Sequence, residues 1–247
     1  MNLDKYIQME NTQIPETVRK ILSKKGGITK TEFSDKNNVL KYVNLQNKCG
    51  YDKMADGSYL VSMNVPMPNV TKEMVKWWFW WHTSDSERYK AWYPKEHIAN
   101  SYAKKDKEYF QSTTVPKFQP NTQYPVERVG SLIAPLSIDF VSPTDFGFLE
   151  DTIKKSNVEC IVCGHVGAFK GLIPNTEMAH ILVTTDDGPV SVSRFWLGKS
   201  VKNKFIRKMF LTEKQARGMA EHCYVEYNNF AIKIPQMYNE WLNEQYK

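Results

Sequence analysis

In the stretch His222-Cys-Tyr-Val-Glu226 an imidazole and a carboxylate stand four residues apart. On a helix that spacing stacks them one turn above the other, with Cβ atoms about 6 Å apart. Ala216, Met219, Ala220, Cys223, Tyr227 and Phe230 recur around them at helical spacing, and His222 and Glu226 flank that apolar stripe. A carboxylate turned toward a core is costly unless it is paired or bound to a metal. The pair therefore reads in two ways: a His–Glu hydrogen bond on a helix surface, or the inward-facing part of a reactive or metal-binding site.

Other residues with chemical potential are dispersed along the chain. His97 follows Trp92-Tyr-Pro94, where a rigid proline turn fixes a side chain well. Glu127 is a carboxylate inside the strand-like run Pro-Val-Glu-Arg-Val, and its neighbour Arg128 points to the other face. Cys160-Ile-Val-Cys163 has C-x-x-C spacing and is followed by His165. On a strand, however, Cys160 and Cys163 point to opposite faces, which disfavours joint metal binding, whereas Cys163 and His165 share one. His165 and His180 sit alone in strand-like runs, where histidines are more often satisfied packing residues than ligands.

The bulk properties narrow the classes. Of 247 residues, 41% are hydrophobic and 24% charged, as in a folded protein with a sizeable core. The aromatic share is high, with 7 Trp, 13 Tyr and 12 Phe, enough to line a pocket for a flat or apolar ligand. The formal net charge of +6 is spread out. Its densest basic run, Lys199 to Lys208, reads as a solvated turn and has no nucleic-acid motif beside it, so no nucleic-acid partner is expected. No apolar run approaches the ~20 residues of a membrane span. The start, Met-Asn-Leu-Asp-Lys-Tyr, lacks the pattern of a signal peptide, so a cytoplasmic protein is expected. Four cysteines in a chain this long do not suggest a disulfide framework. Homo-oligomerisation is left open.

The elements that must position these residues fall in two parts. Residues 1–68 read as a small, mainly helical N-terminal region. A helix begins at Pro15, carries Val18, Ile21 and Leu22, and ends at Gly26-Gly27, and a second helical patch covers Val39, Leu40 and Tyr42. An Asp56-Gly57 turn and the alternating run Tyr59 to Val65 follow, and Pro66 and Pro68 mark a boundary. Residues 69–247 form the larger domain. Thr71 caps a helix carrying Trp77, Trp78, Trp80 and Trp81, and Ser84 to Glu87 make a capping box for a helix that stops before Pro94. Residues 101–120 run over the surface. About five strands come next: Tyr124 to Leu132, Ile133 to Val141, Val158 to Phe169, Met178 to Thr185 and Val190 to Leu197, with Asp187-Gly188 as a hairpin signal. A capping box of Thr212 and Gln215 opens the terminal helix, which Pro235 kinks or ends. This layout is α+β, with an antiparallel, curved sheet gripping the long C-terminal helix around an elongated cavity.

The run Arg88-Tyr89-Lys-Ala-Trp92-Tyr-Pro94-Lys-Glu-His97-Ile-Ala-Asn100, then Glu127, then His222-x-x-x-Glu226, resembles the 2,4-diacetylphloroglucinol hydrolase and phloretin hydrolase family. The likeness spans residues 70–232 or thereabouts and rests on the order and spacing of the motif residues. It implies a zinc-dependent hydrolase of carbon–carbon bonds, built as a small helical N-terminal part and a helix-grip domain. It also implies His97, Glu127, His222 and Glu226 as zinc ligands. Tyr89 and Asn100 fall at pocket positions beside the first histidine, and His165 at that of a strand histidine near the substrate. Asp106 is out of step by one with an acidic family position. No tyrosine matches a second pocket position, where the strand offers Phe195 and Trp196.

Two imidazoles and two carboxylates suit zinc and cancel its charge. The implied substrate is a small phenolic ketone. Hydrolysing an aryl–acyl bond is hard because the departing ring would be a carbanion; ortho and para hydroxyls relieve this by allowing a keto tautomer protonated on carbon. Tyr89 and His165 are candidates for holding or protonating the phenol, and Asn100 for orienting it. Two other readings stand beside this one: a non-catalytic carrier of a flat apolar ligand, and a zinc ester or amide hydrolase, although His-Glu-x-x-His is absent.

Overall fold

The computed structural model describes residues 1–41, 49–129, 132–168, 173–203, 205, 207 and 211–245. The N-terminal residues form α1 (Asp4–Gln8), α2 (Glu16–Leu22) and a 3-10 stretch, Phe33–Leu40. Pro15 stands immediately before α2 and its carbonyl accepts from Arg19 N. The helix stops at Leu22, and Gly26 and Gly27 adopt positive φ a turn later, where Gly26 bridges to Tyr51. Tyr42, expected in the second helical patch, lies outside the described residues.

The sheet is larger than the alternation of the sequence suggests. Among the described residues it has nine strands rather than five, all antiparallel, in the order β1 (Gly50–Lys53), β2 (Tyr59–Pro66), β9 (Gly188–Leu197), β8 (Ile173–Thr185), β7 (Val158–Ala168), β6 (Leu132–Val141), β5 (Val126–Val129), β3 (His97–Ala99). β4 (Asn121–Gln123) pairs off this path with β6. The strands the sequence did not announce, β1, β3 and β4, have three or four residues each, too few to display a period of two. β2 precedes the expected boundary after residue 68, yet all eight of its residues pair with β9, so the sheet is continuous across that point. Asp186 and Asp187 make the β8–β9 turn, and Gly188 heads β9 with φ 108°.

Capping chemistry sets the helices. Thr71 accepts from Met74 N at the head of α3 (Lys72–Trp81). For α4 (Ser86–Trp92) the cap is Asp85, which accepts from Glu87 N; Ser84, expected as the cap, instead donates to Trp81 O. The box at the terminal helix is reciprocal: Thr212 N donates to Gln215 Oε1 at 2.8 Å and Gln215 N to Thr212 Oγ1 at 3.3 Å. After the short α5 (Lys107–Phe110) and α6 (Glu150–Lys154), this last helix, α7, runs from Glu213 to Gln245. Pro235 does not end it: Ile234 and Met237 on either side are fully buried, so core packing offsets the one lost backbone bond. Among the described residues no helix is long and apolar enough to cross a membrane.

The result is a curled antiparallel sheet wrapped on a long C-terminal helix, consistent with a helix grip. Both faces of the sheet are covered. The inner face packs on α3, α4 and α7 through Val61, Met63, Met178, Leu182 and Phe195. The outer face has its own core, in which Val39, Leu40, Phe146 and Phe148 cover Ile181, Val192 and Trp196. The basic run is only partly a solvated turn: Lys199 pairs with Asp56 at 2.8 Å, and buried Arg207 donates to Asp56 O at 2.7 Å, pinning the β1–β2 turn. Lys204 and Lys208 lie outside the described residues.

Strand parity places Cys160 against the inner core and Cys163 in the outer one, and both are free thiols. The same parity removes His165 from the interior. It faces outward beside Phe146, half-exposed, with Nδ1 2.6 Å from Glu177 Oε2 on the paired strand, and Glu177 also accepts from Ser200. The Glu177 hydrogen bond raises the His165 pKa above 6.5, so the pair contributes stability that is complete below about pH 6.5 and is lost as pH rises through the folded value. His165→Gln should therefore lower the melting temperature in mildly acidic buffer and change it little in alkaline buffer. Equal losses at both pH values would show that the contact is not ionic.

Candidate metal centre and its cavity

Between the inner face of the sheet and α7 lies a cavity of about 820 Å³. Its walls are mostly apolar, including Ile138, Phe140, Val166, Met178 and Phe195, and Tyr89, Glu127, His222 and Glu226 line it where α4, β5 and α7 meet.

Four side chains converge there from two local pairs. His222 and Glu226 project inward from α7, 6% and 8% exposed. His97 opens β3 and is the direct cross-strand partner of Glu127 on β5. Together these put His97 Nε2 at 3.3 Å from Glu226 Oε1 and His222 Nε2 at 3.8 Å from Glu127 Oε2. His97, His222 and Glu226 offer ligand atoms all within 4.8 Å of one another, a group that could hold a metal ion.

The protonation pattern follows from the hydrogen bonds. His97 Nδ1 lies 3.2 Å from the Tyr89 carbonyl, which can only accept, so Nδ1 carries the proton and Nε2 a lone pair. His222 is held in the same way by the Arg128 backbone. Both Nε2 atoms are buried without a hydrogen-bond partner. Burial lowers both imidazole pKa values to about 4, so both rings are neutral near pH 7. Burial raises Glu226 to about 8, and the charge of Glu127 pushes the same way. Without a cation Glu226 therefore keeps its proton near pH 7; a bound cation would favour its ionised form, and neutral imidazole with carboxylate is a donor set that suits one.

Aromatic rings fix these side chains. Tyr89 stacks on His97 with centroids 3.9 Å apart and planes 6° apart, and its hydroxyl donates to Glu127 Oε1. Trp92 meets the His97 ring edge-on and donates its indole N–H to the Glu226 carbonyl at 2.9 Å. Tyr93 packs on His222 at 4.9 Å. Asn100 lines the cavity, with Nδ2 donating to Gln123 Oε1 at 3.3 Å and Oδ1 accepting from Ser101 N. Asp106 only accepts from Thr122 N and is no part of the cavity wall.

The structure thus brings Tyr89, Asn100, Glu127, His222 and Glu226 to the wall of one cavity, sets His97 directly behind Glu226, and leaves His165 outside. Two histidines that the sequence left without a role line it instead. His180 has Nδ1 2.8 Å from Ser193 Oγ and stacks on Tyr227, and burial lowers its pKa to about 3. His82 is also buried, stacks between Trp78 and Tyr89, and binds the Trp78 carbonyl at 2.6 Å. The available signal was the alternation Met178, His180, Leu182, which puts His180 on one face with two apolar neighbours. Of the two residues offered for the unmatched tyrosine position, Phe195 faces the cavity and Trp196 the outer core.

Comparison with known proteins bears on the same residues. The chain is 31% identical over 258 residues to phloretin hydrolase of Eubacterium ramulus, covering 96% of this chain and 90% of that one. It is 26% identical over 260 residues to 2,4-diacetylphloroglucinol hydrolase of Pseudomonas protegens, covering 96% and 83% respectively. The same enzyme from a Pseudomonas sp. gives 26% over 260 residues, covering 96% and 87%. The sequence profile of the DAPG hydrolase PhiG domain matches residues 30–239, a span that contains every residue of the cavity described above. On that extent of agreement, the chain belongs to the DAPG hydrolase PhiG domain family.

Proposed function

We propose that the protein is a zinc-dependent hydrolase that cleaves the carbon–carbon bond between a polyhydroxylated aromatic ring and its acyl group. The substrate class is an acylphloroglucinol, such as 2,4-diacetylphloroglucinol or phloretin, and the products are a carboxylic acid and the deacylated phenol. The observation that carries this reading is the meeting of two unpartnered imidazole nitrogens with the buried Glu226 and the part-buried Glu127 at a mostly apolar cavity. A passive carrier of a flat ligand has no need of such a group, which is costly to bury. The names of the relatives supply the substrate class.

His97, Glu127, His222 and Glu226 would hold the zinc; when bound, it supplies Lewis acidity toward an oxygen of substrate or water. The protein's own groups handle the ring. Tyr89, kept protonated by burial well above its ordinary range, can donate to a substrate oxygen in exchange for Glu127. Asn100 offers its amide to a phenolic oxygen from the same wall. His180 takes the place expected for His165: Ser193 anchors one ring nitrogen, and the other is left for a phenol. The chemistry balances without an oxidant. A phenolic hydroxyl proton moves to the ring carbon that bears the acyl group, giving the keto tautomer. Water adds to the acyl carbonyl, whose π pair passes to its oxygen while the water gives up a proton that the ring oxygen later takes. The acyl–ring bond then breaks, its electron pair restoring the aromatic ring and its phenolic oxygen.

Elemental analysis should find about one zinc per chain. His222→Ala should lose it, and Cys160→Ser should keep it. Zinc retained in full by His222→Ala would remove the assignment.

Tyr89→Phe and His180→Gln should each fold and slow turnover of an acylphloroglucinol by about 10²–10⁴. His165→Gln should turn over at the parent rate. Parent rates in the first two variants would make both residues packing groups.

An acylphenol whose ortho and para hydroxyls are methylated should bind without reacting, since it has no keto tautomer. Separation of products after incubation decides this, and equal cleavage of the methylated compound would exclude the route through the ring. Cleavage of simple esters alone would move the protein to the ester-hydrolase class.

A further inference from the structure

A segment of the N-terminal arm crosses behind the metal centre, and the chemistry above makes no use of it. It lies before residues 30–239, the stretch matched by the family profile. Thr12 N donates to Asn229 Oδ1 at 2.9 Å, and Asn229 Nδ2 donates to Asn11 Oδ1 at 3.0 Å. Asn11 Nδ2 in turn donates to the Pro94 carbonyl at 2.8 Å. Asn229 is 1% exposed and sits one turn beyond Glu226 on α7. A second link runs parallel to the first: Lys233 Nζ, equally buried, donates to Tyr6 O and to Ala91 O, both at 3.1 Å. The arm therefore joins α7, which carries His222 and Glu226, to the end of α4 and the turn that delivers His97.

That turn is conformationally demanding. Lys95 adopts φ 73°, in the left-handed region that residues other than glycine avoid. Glu96 N and His97 N both donate to Tyr93 O, at 3.2 and 2.9 Å. Such a backbone persists only where its surroundings over-determine it. The Pro94 carbonyl adjoins Lys95, and its hydrogen bond comes from Asn11.

We infer that Asn11, backed by Asn229, is a positioning residue for the metal centre, setting the His97 turn at the spacing from α7 at which one ion can be shared. Its effect passes through the backbone at Pro94 and Lys95 to His97. The inference rests on the zinc reading proposed above, and the experiment separates the two.

Asn11→Asp in the full chain keeps the size and the acceptor for Asn229 but replaces the donor to Pro94 O with an oxygen. Tyr6→Phe is the control: it removes a hydrogen bond to Glu240 from the same arm and leaves both links to the turn intact. Zinc affinity is read by competition with a chromophoric chelator, beside the melting temperature of the metal-free protein. Asn11→Asp should bind zinc about 10–100-fold more weakly, as substitutions supporting metal ligands do. Its turnover should fall with occupancy and recover in excess zinc. Tyr6→Phe should keep the parent affinity even if it melts earlier. Parent affinity in Asn11→Asp, or equal weakening in Tyr6→Phe, would overturn the positioning role while leaving the zinc site standing. A parent protein that binds no zinc would overturn both. If Asn11→Asp does not fold, Asn11→Ala removes both of its links and the same comparison applies.

Discussion

Two neutral imidazoles face two carboxylates inside an apolar cavity, and the rest of the molecule is arranged around that fact. Burial sets the charge state of each group: it keeps the imidazoles unprotonated and works against ionisation of Glu226. Without a cation burial holds Glu226 in its protonated form; with one, two imidazoles and two carboxylates would make a neutral cluster around a divalent ion. The surrounding aromatics serve this same end. Tyr89, Trp92 and Tyr93 leave the histidine rings little rotational freedom, and the carbonyls behind those rings fix which nitrogen carries the proton.

Much of this was legible in the sequence because it depends on local rules. The four-residue spacing of His222 and Glu226 on an apolar-striped helix, the cap at Thr71, the capping box at Thr212, and the opposite parity of Cys160 and Cys163 each depend on a few neighbouring residues. His97 could be singled out because Pro94 fixes the turn before it.

The misplacement of His165 has a different origin. A strand reveals its inward face when one side is polar, but β7 and β8 are covered on both sides. Cys160, Val162 and Val166 pack inward, and Ile161 and Cys163 pack outward. Alternation then tells which residues share a face without telling which face holds the cavity. The outer layer responsible comes from residues 28–40, distant in sequence from these strands, and from 141–153, the connection just before β7. The extra strands escaped notice for a related reason: three residues of β3 acquire their conformation from pairing with β5 rather than from their own propensity.

The pairs His222–Glu226 and His97–Glu127 have separate origins in the chain. One is made within a single turn of helix, the other between neighbouring strands, and each exists as soon as its own element forms. What joins them is closure of about half of the chain, since β4 to β9 all lie between His97 and His222 in sequence. An ion shared between the pairs would act as a removable crosslink over that long loop, restricting the unfolded chain more than a contact between near neighbours does. Supply of the metal would then act on how long a newly made chain stays folded, before any substrate has entered.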